Sequence, residues 1–204
     1  MRKYRGLTGR LAGRIKPARV ESFFKEVAPM SIYEMTVPCF AQMLRALQGF
    51  LKKGEAHARE LGCDSKNLLQ SRLAPDMHNL ASQVQFTCTQ AQEAVLRLGQ
   101  QPLSALDAPD DMEQANALIE RTLQLLSSAD RARIEEGAQR QLSIELPNGM
   151  AFDMTGSEYA RNWVTPQFYF HLVTAYSILR NNGVQLGKAD YVPHMFAYLR
   201  QPAA

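Results

Sequence analysis

The residues best able to move a proton or hold a metal near neutral pH are four histidines, His57, His78, His171 and His194, and three cysteines, Cys39, Cys63 and Cys88. His171 stands in FYFHLVTAYSILRNNG, Phe168 to Gly183, among aromatic and aliphatic residues just before a helix stop. At helical spacing Phe168, His171, Ala175 and Ile178 share one face, so the imidazole turns inward and has to find a partner there. Gln83 borders the apolar stripe of an earlier helix, one turn before Thr87, and can present its amide to the same interior. His57 sits beside the stripe of the first helix near its end, where an antiparallel neighbour would begin with Asp76. With Tyr169 or Tyr176 as a wall, these positions would converge on a small polar pocket holding His57, Gln83 and His171. The same residues also fit a buried polar network that fixes helix register and does no chemistry, and both readings stay open. His78, off its helix stripe, and His194, in the C-terminal tail, read as surface residues.

Familiar catalytic spacings are absent. There is no G-x-S-x-G elbow and no H-E-x-x-H zinc helix. GVQLGKAD has the letters of a phosphate loop, but its glycines are one residue too close, Ala189 stands where Ser or Thr is required, and it follows a helix rather than a strand. Gly183, Gly187 and Lys188 are therefore turn chemistry. The cysteines are odd in number with no C-x-x-C pair, which fits reduced thiols and a cytoplasmic setting. Cys39 and Cys88 fall on apolar helix faces, where a thiol packs as a small inert hydrophobe.

The elements that must position these residues can be read from periodicity. From Val37 the apolar positions Phe40, Leu44, Leu47, Leu51, Ala58 and Leu61 recur at three and four, predicting a first helix that closes at Gly62. A second is predicted to begin at Pro75-Asp76, with Met77, Leu80, Val84, Cys88, Ala91, Val95 and Leu98 on its stripe, and to stop at Gly99. A long loop with Pro102 and Pro109 leads to a third helix through Leu118, Leu125 and Leu126, followed by a short helical continuation or turn. Leu142, Ile144 and Leu146 then alternate with polar residues, Asn148-Gly149 marks a type I′ turn, and Ala151 to Met154 returns as a second strand. The last helix follows the cap region Thr155-Gly156-Ser157, bends or breaks at Pro166, and ends at Asn181-Asn182-Gly183. The economical fold is all-α: an antiparallel four-helix bundle with a small β-hairpin before the last helix.

The 204 residues, 46% hydrophobic and 21% charged, suit one well-buried soluble domain, and no apolar run is long enough to span a bilayer. Charge is uneven. Residues 1–29 hold eight Lys/Arg against two acids, a balance of +6, while the rest holds fifteen against eighteen, or −3. The body is thus unsuited to a nucleic-acid surface, which needs clustered cations. The basic segment reads as a disordered extension, a mistaken start before Met30, a transit peptide or a binding arm, ahead of a single domain over 30–204.

GEAHAREL (Gly54 to Leu61), LAPDMHNLASQV (Leu73 to Val84) and FYFHLVTAYSILRNNGVQLGKADY (Phe168 to Tyr191) resemble an uncharacterised family, domain of unknown function nineteen-ninety-three, placed among the DinB/YfiT-like helical bundles. The resemblance implies a four-helix bundle, often dimeric, with a divalent metal held by one histidine of the second helix and a His-x-x-x-His pair of the last. It also implies transferase or isomerase chemistry assisted by a low-molecular-weight thiol, whose pKa a metal would lower. Carried over residue by residue, His171 takes the first place of the pair, Ala175 stands in the second, and Gln83 takes the place of the helix-two histidine. The expectation is therefore a homodimer with a polar interior pocket and a degenerate metal site, with His171 as the remaining ligand. The alternative is an enzyme with a weakly held zinc or nickel ion surrounded by His171, Gln83 and His57.

Overall fold

A computed structural model of the chain describes residues 31–200, so the basic segment 1–29 lies outside the described residues. Helix α1 (Ile32–Glu60) starts where the Ser31 hydroxyl accepts the Glu34 N–H and ends at Gly62, whose positive φ lets Cys63 N–H return to Ala58 C=O at 2.9 Å. Pro38 lies inside it and has no N–H to give to the Glu34 carbonyl, and the Cys39 thiol donates to that oxygen instead at 3.3 Å. Cys39 is thus tied into the helix, and burial with Glu34 close by raises its pKa.

After a short α2 (Lys66–Gln70) comes α3 (Leu80–Leu98). It begins later than Pro75-Asp76, because the Asn79 side chain caps it by accepting the Ser82 N–H at 3.0 Å. Asp76 is left in an exposed turn. Helix α4 (Met112–Ser127) is capped by Asp111 and followed by a separate short α5 (Arg131–Glu136). Strands β1 (Gln141–Glu145) and β2 (Ala151–Thr155) pair antiparallel, Ile144 opposite Phe152. Their turn is not type I′, for Gly149 has a positive φ of 84° and Asn148 does not. Pro147 fixes a negative φ at the corner, Gly149 N–H closes onto Leu146 C=O at 2.9 Å, and the glycine takes the left-handed position that follows a type I turn.

Thr155 and Glu158 form a reciprocal capping box around the short α6 (Gly156–Glu158). The bend expected at Pro166 is a π-helical turn over Tyr159–Val164, immediately before α7 (Thr165–Asn181). A short α8 (Lys188–Tyr191) and a 3₁₀ segment (Pro193–Tyr198) follow.

The four long helices make the expected bundle, two running each way. Helices α1 and α7 start together, with Phe40 stacked on Phe168 at 4.1 Å, and end together at His57 and Asn182. Helix α3 opposes α7, and α4 opposes α1, delivering α5 to the start of α1, where the Ser31 hydroxyl donates to Glu135. That arrangement requires the loop between α3 and α4 to run back along α3. It is held there by Gln92, whose amide donates to Ser104 C=O at 2.7 Å, and by Gln85, whose amide donates to Leu106 C=O. The core is the shared apolar face of the four, including Leu44, Leu47, Val84, Cys88, Ile119, Phe168 and Leu172, all fully buried.

Candidate functional site

The seam between α3 and α7 holds the one pair of expected site residues that meet. His171 Nδ1 lies 2.9 Å from Gln83 Oε1, and Gln83 Nε2 donates to the His78 carbonyl at 3.3 Å. Both ends of the Gln83 amide are therefore engaged, and its oxygen requires the imidazole to carry its hydrogen on Nδ1. Nε2 is left as an acceptor. Gln83 is buried and His171 half-buried, and burial, followed by the nearby His78, pushes the imidazole pKa down to about 4. The ring is neutral at pH 7. Around it stand aromatic rings, Phe86 at 5.0 Å and Phe170 at 5.3 Å, with His78 edge-on to Phe86 at 5.0 Å. The site is a neutral hydrogen-bond acceptor flanked by aromatic rings.

The other expected residues lie elsewhere, for reasons of helix direction and angle. His57 is not beside His171, because α1 and α7 run in the same sense and its partner is the Asn182 carbonyl at 3.2 Å. Asn182 is eleven residues beyond His171, about 16 Å along the axis. Tyr169 and Tyr176 stand well over a right angle around α7 from His171 and face α1 and α8 instead. Tyr176 meets Phe50 edge-on at 5.4 Å and donates to Leu186 C=O at 3.4 Å. Tyr169 packs edge-on to Phe168 at 5.3 Å, its phenol pushed up to about 12 chiefly by burial. Asp76 is exposed in the turn before α3. His78 is indeed exposed, yet its carbonyl anchors Gln83 and its ring packs against Phe86. Its position in PDMHN, five residues before Gln83, was the available signal, hidden because α3 starts after it.

The donor set does not suit a divalent metal. Ala175, one turn beyond His171, is buried and has no donor, and the Gln83 oxygen already accepts from His171. Among the described residues no three His, Cys, Asp or Glu side chains are grouped to hold an ion, whereas catalytic zinc takes three protein ligands.

Residues 32–192 match the family model described as domain of unknown function (DUF1993). Among solved structures, the chain is similar to a DinB family member protein from Shewanella denitrificans, with 34% identity and a TM-score of 0.72 over 85% of this chain and 94% of that one. No curated protein matches the sequence.

Proposed function

The chain belongs to the DUF1993 family of DinB-like bundles, and from that premise we propose that it is a homodimeric small-molecule-binding protein whose site is the Gln83–His171 pair rather than a metal centre. The observation that carries this reading is the 2.9 Å contact between His171 Nδ1 and Gln83 Oε1. With Gln83 Oε1 accepting the Nδ1 hydrogen, Nε2 offers a lone pair at a half-buried, uncharged position beside Phe86 and Phe170. Such a site favours a neutral molecule with a hydroxyl, amide or thiol hydrogen for Nε2 and an apolar face for the rings. A free imidazole nitrogen with His78 close by is what favours a second reading, a divalent-metal-dependent enzyme using a low-molecular-weight thiol. Three free cysteines support a cytoplasmic location, and no helix among the described residues is long and apolar enough to cross a membrane.

The deciding experiment is elemental analysis of protein purified without chelator, beside His171→Ala, with a thermal-shift screen of small neutral ligands on both. The expected outcome is no stoichiometric zinc or nickel in either and ligand-induced Tm rises that His171→Ala abolishes. Near-stoichiometric metal lost in the variant would replace this reading with the second.

A further inference from the structure

On the outer flank of α1, a groove of about 640 Å³ opens between that helix, α8 and the C-terminal 3₁₀ segment. Its floor is Ala46, Gly49 and Ala56, its far wall includes Pro193 and Phe196, and its lining is mostly apolar. Phe196 keeps 61% of its surface exposed at the lip. Three cations reach the same groove. Lys53 is neutralised by Asp190 at 2.7 Å, the one carboxylate there, while Arg45 and Lys52 have no carboxylate partner among the described residues. The groove therefore carries a net charge of +2 on an apolar bed, although the domain from Met30 onward is acidic overall.

Gly49 adds an independent observation. It lies in the middle of a long helix, where glycine costs about 1 kcal/mol relative to alanine. Gly54 in the same helix is explained by its neighbours, since a methyl group there would come within 3.1 Å of the Leu179 side chain. A methyl group at Gly49 meets no atom within 4 Å. Nothing in the described chain requires the glycine, and what it provides is a flat floor for something lying against the helix.

We propose that this groove binds a long-chain carboxylate, its apolar chain running over Gly49 and Ala56 toward Phe196 and its carboxylate held by the unpaired Arg45 and Lys52. A second copy of the chain fits less well, because a symmetric contact would set these cations against each other. The groove is separate from the Gln83–His171 seam, so binding there does not depend on the function proposed above.

Titration of the full-length protein with dodecanoate below its micelle concentration, followed by calorimetry, tests the assignment. Saturable one-to-one binding is expected, unchanged in His171→Ala. Gly49→Leu fills the floor and should weaken binding about tenfold or more while leaving Tm the same or higher, since leucine is the better helix former. Arg45→Gln with Lys52→Gln should weaken it about tenfold and erase the preference for dodecanoate over dodecanol. The proposal is overturned if dodecanoate does not bind saturably or if Gly49→Leu binds it as the wild type does. Binding only to phospholipid vesicles, or a dimer lost in Gly49→Leu without any carboxylate binding, overturns it as well.

Discussion

At the scale of single residues, His171 shows how one hydrogen bond sets a group's chemistry. A histidine whose folded pKa of about 4 lies below the ordinary 6.5 holds its proton less tightly when folded than when unfolded. Its contribution is complete above the unfolded value and is lost as pH falls from about 6.5 toward 4. A shift of this size is about 3 kcal/mol for a sealed group, and water at a half-buried ring reduces it to about 1–2 kcal/mol. Urea midpoints at pH 7 and at pH 4 should therefore differ more for the wild type than for His171→Gln, which has nothing to titrate; equal differences would remove the desolvated imidazole from the account. The inward turn of His171 follows from helical spacing, which also lets Gln83 present its amide to the same interior; that these two pair without His57 depends on helix direction. The tyrosines lie outside the pocket because the inward face does not extend that far round α7, and Tyr176 packs on Phe50 rather than on the histidine.

At the scale of elements, the stops are the most legible feature, because a helix end has unsatisfied carbonyls that only a few local solutions satisfy. Gly62 and Gly183 both take a left-handed φ, of 66° and 86°, and Val184 N–H returns to Leu179 C=O at 3.1 Å behind the second. What spacing could not reveal is that the two ends lie side by side. His57 reaches across to the Asn182 carbonyl at 3.2 Å, and its ring sits 3.2 Å from where a methyl group on Gly183 would be. His57 is thus a cap supplied by one helix to another. His57→Ala should cost about 1 kcal/mol from the lost hydrogen bond. Gly183→Ala should cost about 1–2 kcal/mol from the positive φ and the tight approach. In the double variant the penalties should fall short of their sum, since removing the ring clears the space for the methyl group; strict additivity in denaturant titrations would mean that the ring and the glycine do not touch in solution. The π-turn before Pro166 and the late start of α3 escaped the sequence for a related reason, for each is chosen by competition among local hydrogen bonds rather than by apolar period.

At the scale of the whole molecule, the direction of the helices decides which residues can cooperate. Loop length alone does not say whether α4 runs with α3 or against it; the glutamine contacts that lay the loop along α3 settle the question, and they carry no periodic signature. Once α1 and α7 run together, the α3–α7 seam has to close without His57, and it opens onto an outer face of α7 where Phe170 and Val173 remain 58% and 43% exposed. Two adjacent exposed apolar side chains beside the proposed site are where the contact of the proposed homodimer is best placed, since burial there would cover both the residues and the aromatic rings. Phe170→Glu introduces a charge at that surface and leaves the core untouched, so its far-UV circular dichroism should match the wild type, while its Tm falls by the stabilisation that the dimer supplies. Sedimentation equilibrium should then report a dimer for the wild type and a monomer for the variant. A wild-type monomer, or a dimer that survives Phe170→Glu, would move the subunit contact away from this face and leave His171 flanked by the aromatic rings alone.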